Sequence, residues 1–350
     1  MKMFRMFILL LAAFLVFSCS SKKDDVLYVY NWTDYIAPEL VKKFEEQNKC
    51  KIVYDTYDSN ENMLTKVMHT QASYDIVFPS GDHVVIMRDK GLLEKLDKSK
   101  IPNYKNLSKS IMKKVETYDP GAEYSIPYFW GTTGLIYNKK YVPEERMENV
   151  SWNILADKAY NGKNVITMLD DARSVVGAAL IYAGYGFNDM SADALAHAKT
   201  VLLEWDKNIS QYDSDSYKNE IQDGTTWIAQ AYNGDAQQVM NENENVGFVL
   251  PREGAELWID SFVMLKNAEH KDLAYKFINF LLDAEVAKEN AEYVEYAVPN
   301  DAAYALLDEE TKTDTLTYPS QEYLEKCYIL KNVGEDITEL NKIWEEIRNN

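Results

Sequence analysis

Val26-Leu27-Tyr28-Val29-Tyr30-Asn31-Trp32-Thr33-Asp34-Tyr35-Ile36 reads as a strand that stops at Asn31 and runs into a helix with Pro38 in its first turn. Bulky strand-forming residues alternate from Val26 to Tyr30, and proline is tolerated where a helix begins because the N–H it lacks has no intrahelical acceptor there. This is the first strand and crossover of an α/β domain. Ligands of open α/β sheets bind at the carboxyl ends of strands, and Trp32, Thr33, Asp34 and Tyr35 stand at that place. Two aromatic faces beside a carboxylate suit an organic ammonium group, which is drawn to ring quadrupole and charge alike. Taken alone, the two rings serve equally well to plug the top of a core.

Outward from that stretch the alternation repeats. Lys51 to Tyr57 is a strand, and Ser59 caps a helix expected to bury Met63, Leu64, Val67 and Met68. Tyr74 to Pro79 is a short apolar strand, and Ser80-Gly81-Asp82 turns into a helix carrying Val84, Val85 and Met87. Strand and helix in alternation predict a parallel, doubly wound sheet. Ile126 to Gly134 is an extended, aromatic, glycine-punctuated segment that reads as a passage between two domains. Beyond it, Val165 to Leu169 is a strand, and Asp170-Asp171-Ala172-Arg173-Ser174 opens a helix. The helix dipole favours a carboxylate in that first turn, so one aspartate caps and the other is free for different work. Trp227 to Gly234 reads as a strand ending at Tyr232, and Glu256 to Leu265 as a strand that sets Trp258 and Asp260 on one side, since strand side chains repeat every two residues.

The N-terminus carries Lys2 and Arg5, an apolar run from Met6 to Phe17, and Ser18-Cys19. The run is too short for a mature membrane span and resembles the export signal of a bacterial lipoprotein, with Cys19 as the lipidated residue. Residues 1–18 are then the signal and 19–25 a tether. Loss of the signal removes two of 37 basic residues and leaves 35 against 56 acidic ones, a net charge of −21. Nucleic acid is excluded as a partner by that charge, and cations are attracted. His69, His83, His197 and His270 are scattered without metal-ligand spacing, so neither a metal site nor a cofactor is expected. Cys50 and Cys327 are assigned to different lobes and are not expected to pair.

An aromatic beside an aspartate at a strand end recurs as Trp32 with Asp34 and Trp258 with Asp260, with few arginines nearby. A buried carboxylate without a cation must protonate or find a counter-ion, and a ligand ammonium can supply it. Solvation or backbone amides would satisfy these aspartates too.

Residues 28–35, 57–61, 74–80, 124–131, 170–173 and 258–261, with Pro299-Asn300, resemble in order the bacterial spermidine/putrescine-binding proteins of ABC transporters. The resemblance spans nearly all of the mature chain. It implies a two-lobed periplasmic binding-protein fold (type II), each lobe a doubly wound sheet flanked by helices, closing by a hinge. The lobes would be residues 26–130 plus 259–304 and 131–258 plus 305–350, with the ligand cleft between them. Position by position, the resemblance makes Trp32 and Tyr35 the walls of an aromatic box, Thr33 and Asp34 polar contacts, and Ser80 a ligand contact. Asp171 and Asp260 become acids that hold ligand amines, and Trp258 and Tyr296 rings on the methylene chain. Tyr232 stands where relatives often have tryptophan. Three positions depart: Asp82, still counted among the candidate ligand contacts, replaces an aromatic, Ser174 a second terminal carboxylate, and Leu330 an amide. A missing distal carboxylate and amide lead to the expectation that putrescine binds at least as well as spermidine. The expected partners are a polyamine, permease subunits with their ATPase, and a membrane reached through the lipid; the chain itself is expected to be a monomer. No nucleophile elbow, phosphate loop or metal motif supports an enzyme, although paired carboxylates keep a hydrolase in view. A ferric-ion or sugar carrier of the same architecture is the other alternative.

Overall fold

A computed structural model describes residues 25–69 and 74–349. The signal, Cys19 and all of the tether except Asp25 lie outside the described residues. No helix among the described residues is long and apolar enough to cross a membrane.

The first strand, β1 (Asp25–Trp32), pairs in parallel with β2 (Cys50–Tyr57) and β3 (Ile76–Val77), as strand–helix alternation requires. A second parallel group joins β5 (Ile166–Met168) to β6 (Ile209–Tyr212) and to β7 (Ile228–Tyr232). Two long strands, β4 (Ser125–Asn138) and β9 (Glu256–Met264), unite the groups and run antiparallel to each other. The order is β2-β1-β3-β9-β4-β7-β5-β6, with β8 (Val246–Val249) beside β4 and β10 (Tyr328–Ile329) beside β9. The sheet is therefore mixed, and its antiparallel pairs lie where the chain passes between the parallel groups. All fourteen residues of β4 and all nine of β9 are buried, the signature of strands covered on both faces.

The cores follow the same division. Leu27, Val29, Phe44, Phe78, Phe262 and Phe277 belong to a core around β1, which the helix Lys271–Leu281 covers with its apolar face. Leu135, Trp152, Ile166, Val175, Trp205 and Trp344 belong to another around β5, closed by the last helix, Ile337–Arg348. Tyr232 packs against the first core and against the smaller cluster of Ala229, Ala231 and Val239. In the helix Asn60–His69 Met63 is fully buried and Leu64 and Val67 pack partly buried against the core, whereas Met68 is 45% exposed, contrary to the expectation. Cys50 and Cys327 are both free thiols.

One register in the β4–β9 ladder sets the geometry of the site. Phe129 faces Asp260, Gly131 faces Trp258, and Thr133 faces both Glu256 on β9 and Tyr232 on β7. Facing residues in a ladder project to the same side, so Asp260, Trp258, Glu256, Thr133, Tyr232 and, two residues before it, Gln230 share one face of the sheet. Gly131 leaves that face open. A Cβ there would stand 2.3 Å from the Trp258 ring and 2.3 Å from Asn233 Oδ1, which accepts a hydrogen bond from the Thr132 N–H. Gly131→Ala is expected to cost about 1–3 kcal/mol by overpacking, seen as a fall of several degrees in the thermal unfolding midpoint. An unchanged midpoint would show that Trp258 and Asn233 yield without cost.

Candidate functional site

Asp260 lies at the centre of the shared face. Its Oδ2 accepts from the Tyr35 hydroxyl at 2.9 Å and its Oδ1 from the Ser80 hydroxyl at 2.6 Å. Ser80 precedes the helix Gly81–Asp89 in the N-cap position but makes no side-chain cap, because its hydroxyl is committed to Asp260. The carboxylate is 6% exposed. Burial pushes its pKa up to about 7, with the two hydroxyls opposing and the Asp82 charge adding to the rise.

Aromatic rings enclose this acid. Tyr35 meets Tyr296 edge-on at 5.6 Å, Tyr296 meets Trp258 edge-on at 5.0 Å, and Trp258 meets Tyr232 edge-on at 6.4 Å. The Tyr296 hydroxyl donates to Asp235 Oδ1 at 3.2 Å, and the Tyr217 hydroxyl donates to Asp235 Oδ2 at 2.8 Å. Gly234 makes room for Tyr296, since a Cβ there would come within 2.3 Å of its ring. Trp32 closes the end of β1: its indole N–H donates to the Phe78 carbonyl at 2.8 Å and its ring leans on Tyr57 at 4.6 Å.

Two expected contacts are not brought to this group. Thr33 and Asp34 are exposed. The Thr33 hydroxyl donates to the Tyr57 carbonyl at 3.4 Å, and Asp34 occupies a left-handed turn with φ 54°. Neither hydrogen-bonds to Asp260 or its partners; the chain turns sharply there, so Tyr35 points inward while its two predecessors face solvent.

Asp82 is buried, and its charge is already answered. Burial would raise its pKa, yet the charge and hydrogen bond of His83, 3.1 Å away, and the Arg173 charge hold it below the ordinary value. Burial disfavours the His83 imidazolium, yet the Asp82 charge and hydrogen bond raise its pKa. Asp82 and His83 thus favour each other's charged forms.

Of the two consecutive aspartates, Asp171 is the cap. Its Oδ1 accepts from the Arg173 and Ser174 N–H groups at 2.9 and 3.0 Å, opening the helix Ala172–Tyr182. Asp170 turns outward and pairs with Arg348 at 3.1 Å. The Ser174 hydroxyl lies 3.2 Å from Asp171 Oδ2 and also contacts Glu256 Oε2, which the Thr133 hydroxyl approaches at 3.1 Å. Position 174 therefore lacks a carboxylate of its own but touches two. Glu256 was missed in reading the sequence, although its alternation with Trp258 and Asp260 was there to find. Burial raises both Asp171 and Glu256, and the Asp171 charge raises Glu256 further. Among the described residues no lysine, arginine or histidine lies within ion-pairing distance of Asp171, Glu256 or Asp260. Leu330 is buried with Ile181 and Phe187 and offers no polar contact.

Known proteins share this architecture. The chain is 33% identical over 342 residues to the putrescine-binding periplasmic protein SpuD of Pseudomonas aeruginosa, covering 93% of this chain and 92% of that one. A solved structure described as a putative spermidine/putrescine ABC transporter from Listeria monocytogenes superimposes with a TM-score of 0.86 at 37% identity, over 93% of this chain and 99% of that one. The TpPotD lipoprotein of Treponema pallidum gives 0.83 at 35% identity, over 93% of this chain and all of the other. The pattern of the bacterial extracellular solute-binding proteins matches residues 39–318. With its two parallel sheet groups joined by β4 and β9, the chain belongs to the family of bacterial extracellular solute-binding proteins, whose two-lobed fold it has.

Proposed function

We propose that the chain is the binding component of a polyamine ABC transporter. It takes putrescine or spermidine into the aromatic and acidic cleft and presents it to a permease and its ATPase. It transports without chemical turnover. The observation that carries this reading is Asp260, a buried carboxylate with no cationic partner among the described residues, enclosed by Tyr35, Trp258, Tyr232 and Tyr296. An ammonium restores the missing charge there, and ring faces attract the same cation with about 0.5–2 kcal/mol each. The methylenes between amines bury against the rings. Relatives named for putrescine and spermidine support the substrate class.

In this reading Trp32, Ser80 and Asp171 complete the cleft, with Thr33 and Asp34 on its rim. The lobes are residues 26–130 plus 259–304 and 131–258 plus 305–350. Contacts made only when they meet draw the population to the closed form, which the permease recognises. Leu330, apolar where an amide would hold a further amine, favours putrescine at least equally. Residues 1–18 direct export, and Cys19 carries the lipid that holds the protein to a membrane in the periplasm as a monomer. The likeness to a Treponema lipoprotein supports the anchor.

Calorimetry on the chain starting after Cys19, stripped of ligand by unfolding and refolding, is expected to give saturable one-to-one binding of putrescine and spermidine. Asp260→Ala abolishes high-affinity binding. Absence of binding to either amine by the unaltered chain, or normal affinity in the variant, would overturn the reading.

Protons compete with the ligand at Asp260. The carboxyl titrates near pH 7 in the folded chain against about 4 when unfolded, so the folded state binds the proton more tightly. The contribution to ligand-free stability is fully present below about pH 4 and is lost as pH rises toward 7. Amine affinity should therefore increase from pH 6 to pH 8, and Asp260→Asn should reduce the increase, with Asp171 and Glu256, which burial also raises, keeping the rest; a flat profile in the unaltered chain counts against Asp260 as the ammonium site. For the anchor, Cys19→Ser should move the protein from the membrane fraction to the soluble one, and continued sedimentation with membranes would refute lipidation at that residue.

A further inference from the structure

The Ser174 hydroxyl touches two carboxylates, Asp171 and Glu256, yet a hydroxyl has one proton and donates to one acceptor at a time. Burial and mutual repulsion therefore disfavour the state in which both acids are ionised, and a cation hydrogen-bonded to the pair would favour it. Arg173 lends its charge to both acids but hydrogen-bonds to neither: its terminal nitrogens donate to the Lys331 carbonyl at 3.1 Å and to Asn188 Oδ1 at 2.8 Å, and its buried Nε has no partner among the described residues. A second acceptor also lacks a donor. Gln230, 1% exposed and on the same face of the sheet, gives its amide N–H to the Ser174 carbonyl at 3.3 Å, and its Oε1 is buried without a partner. What the two acids and this amide oxygen lack among the described residues is a cationic donor hydrogen-bonded to them.

We propose that Glu256, together with Asp171, receives the second ammonium of the ligand, supplying from β9 the carboxylate that position 174 lacks. This rests on the polyamine reading above. On β9 the order acid, aromatic, acid at positions 256, 258 and 260 mirrors ammonium, alkyl chain, ammonium in a diamine. Four strand residues separate the Cα atoms of Glu256 and Asp260 by about 13 Å. That is room for a short diamine with a hydrogen-bonded carboxylate at each end. Residues facing Glu256 are Thr133 on β4, Asp171, Arg173 and Ser174 at the start of the helix Ala172–Tyr182, and Tyr232 on β7. Burial and the Asp171 charge favour the protonated form of Glu256 in the ligand-free protein, so an arriving ammonium takes the place of that proton.

The test compares putrescine with n-butylamine, which keeps the alkyl chain and one ammonium. For the unaltered chain putrescine binds more tightly; in Glu256→Gln the ratio of the two dissociation constants should shrink at least tenfold, because only the second ammonium loses its partner. The ligand-free unfolding midpoint of the variant should not fall, since an amide is cheaper to bury than a carboxylate. A lower midpoint would mean that Glu256 only braces Ser174 and Thr133, and overturns the proposal. Moving the acid across in Glu256→Ser/Ser174→Glu should restore the ratio; failure to restore it in a folded double variant also overturns the proposal. Loss of both amines in equal proportion, or an unchanged ratio, refutes the role of Glu256 while leaving the polyamine reading intact. No binding of putrescine by the unaltered chain removes both.

Discussion

The register of the antiparallel ladder between β4 and β9 is the constraint on which the site depends. It sets Trp258 over Gly131 and Asp260 beside Phe129, and it turns Glu256 to the face that carries Thr133 and Tyr232. A slip by one residue would send every one of these side chains to the opposite face. Burial of both strands on both faces protects against such a slip, because the alternate residues Leu257, Ile259 and Val263 are held in the apolar cluster with Val77 and Trp130. The core and the aromatic and acidic face thus share two strands, and the apolar packing of one face holds the polar geometry of the other.

The electrostatics of that face run against ordinary stability. Asp171, Glu256 and Asp260 gather with hydroxyl and backbone donors but without an ion-pair partner among the described residues. Buried carboxylates are tolerated when neutral or when a cation reaches them. Asp82 shows the contrast: with His83 and Arg173 nearby its pKa falls below the ordinary value, whereas that of Asp260 rises. Arg173 lends charge to Asp171 and Glu256 as well, but of these three only Asp82 also has an imidazole hydrogen-bonded to it. In the proposed complex the remaining deficit is the ligand's to fill, which couples capture of a cation to the packing of the closed cleft.

At three places local geometry adds to what the resemblance implies. Thr33 and Asp34 follow Trp32 in sequence but face solvent, because a left-handed residue at 34 reverses the chain before Tyr35 enters the core. Asp82 carries a charge that its own neighbour answers. Ser174 brings no carboxylate of its own, and Glu256, 82 residues further along, reaches the same hydroxyl. In each case the residue type was read correctly, and what it meets could not be inferred from its neighbours in sequence.

By itself the sequence determined the alternation of strand and helix, the passage of Ile126 to Gly134 between two sheet groups, and the pairing of Trp258 with Asp260 on one side of a strand. These are local matters of propensity and of period two or 3.6, written within a dozen residues. The tertiary structure alone decided that Tyr35 and Ser80 converge on Asp260, and that Asp171 and Glu256 meet at one hydroxyl. It also set β4 and β9 antiparallel to each other and ran the two parallel groups in opposite directions. Those outcomes join residues 82 to 225 positions apart. They depend on strand register and sheet order, which follow from how two whole cores pack and which no single segment of the chain encodes.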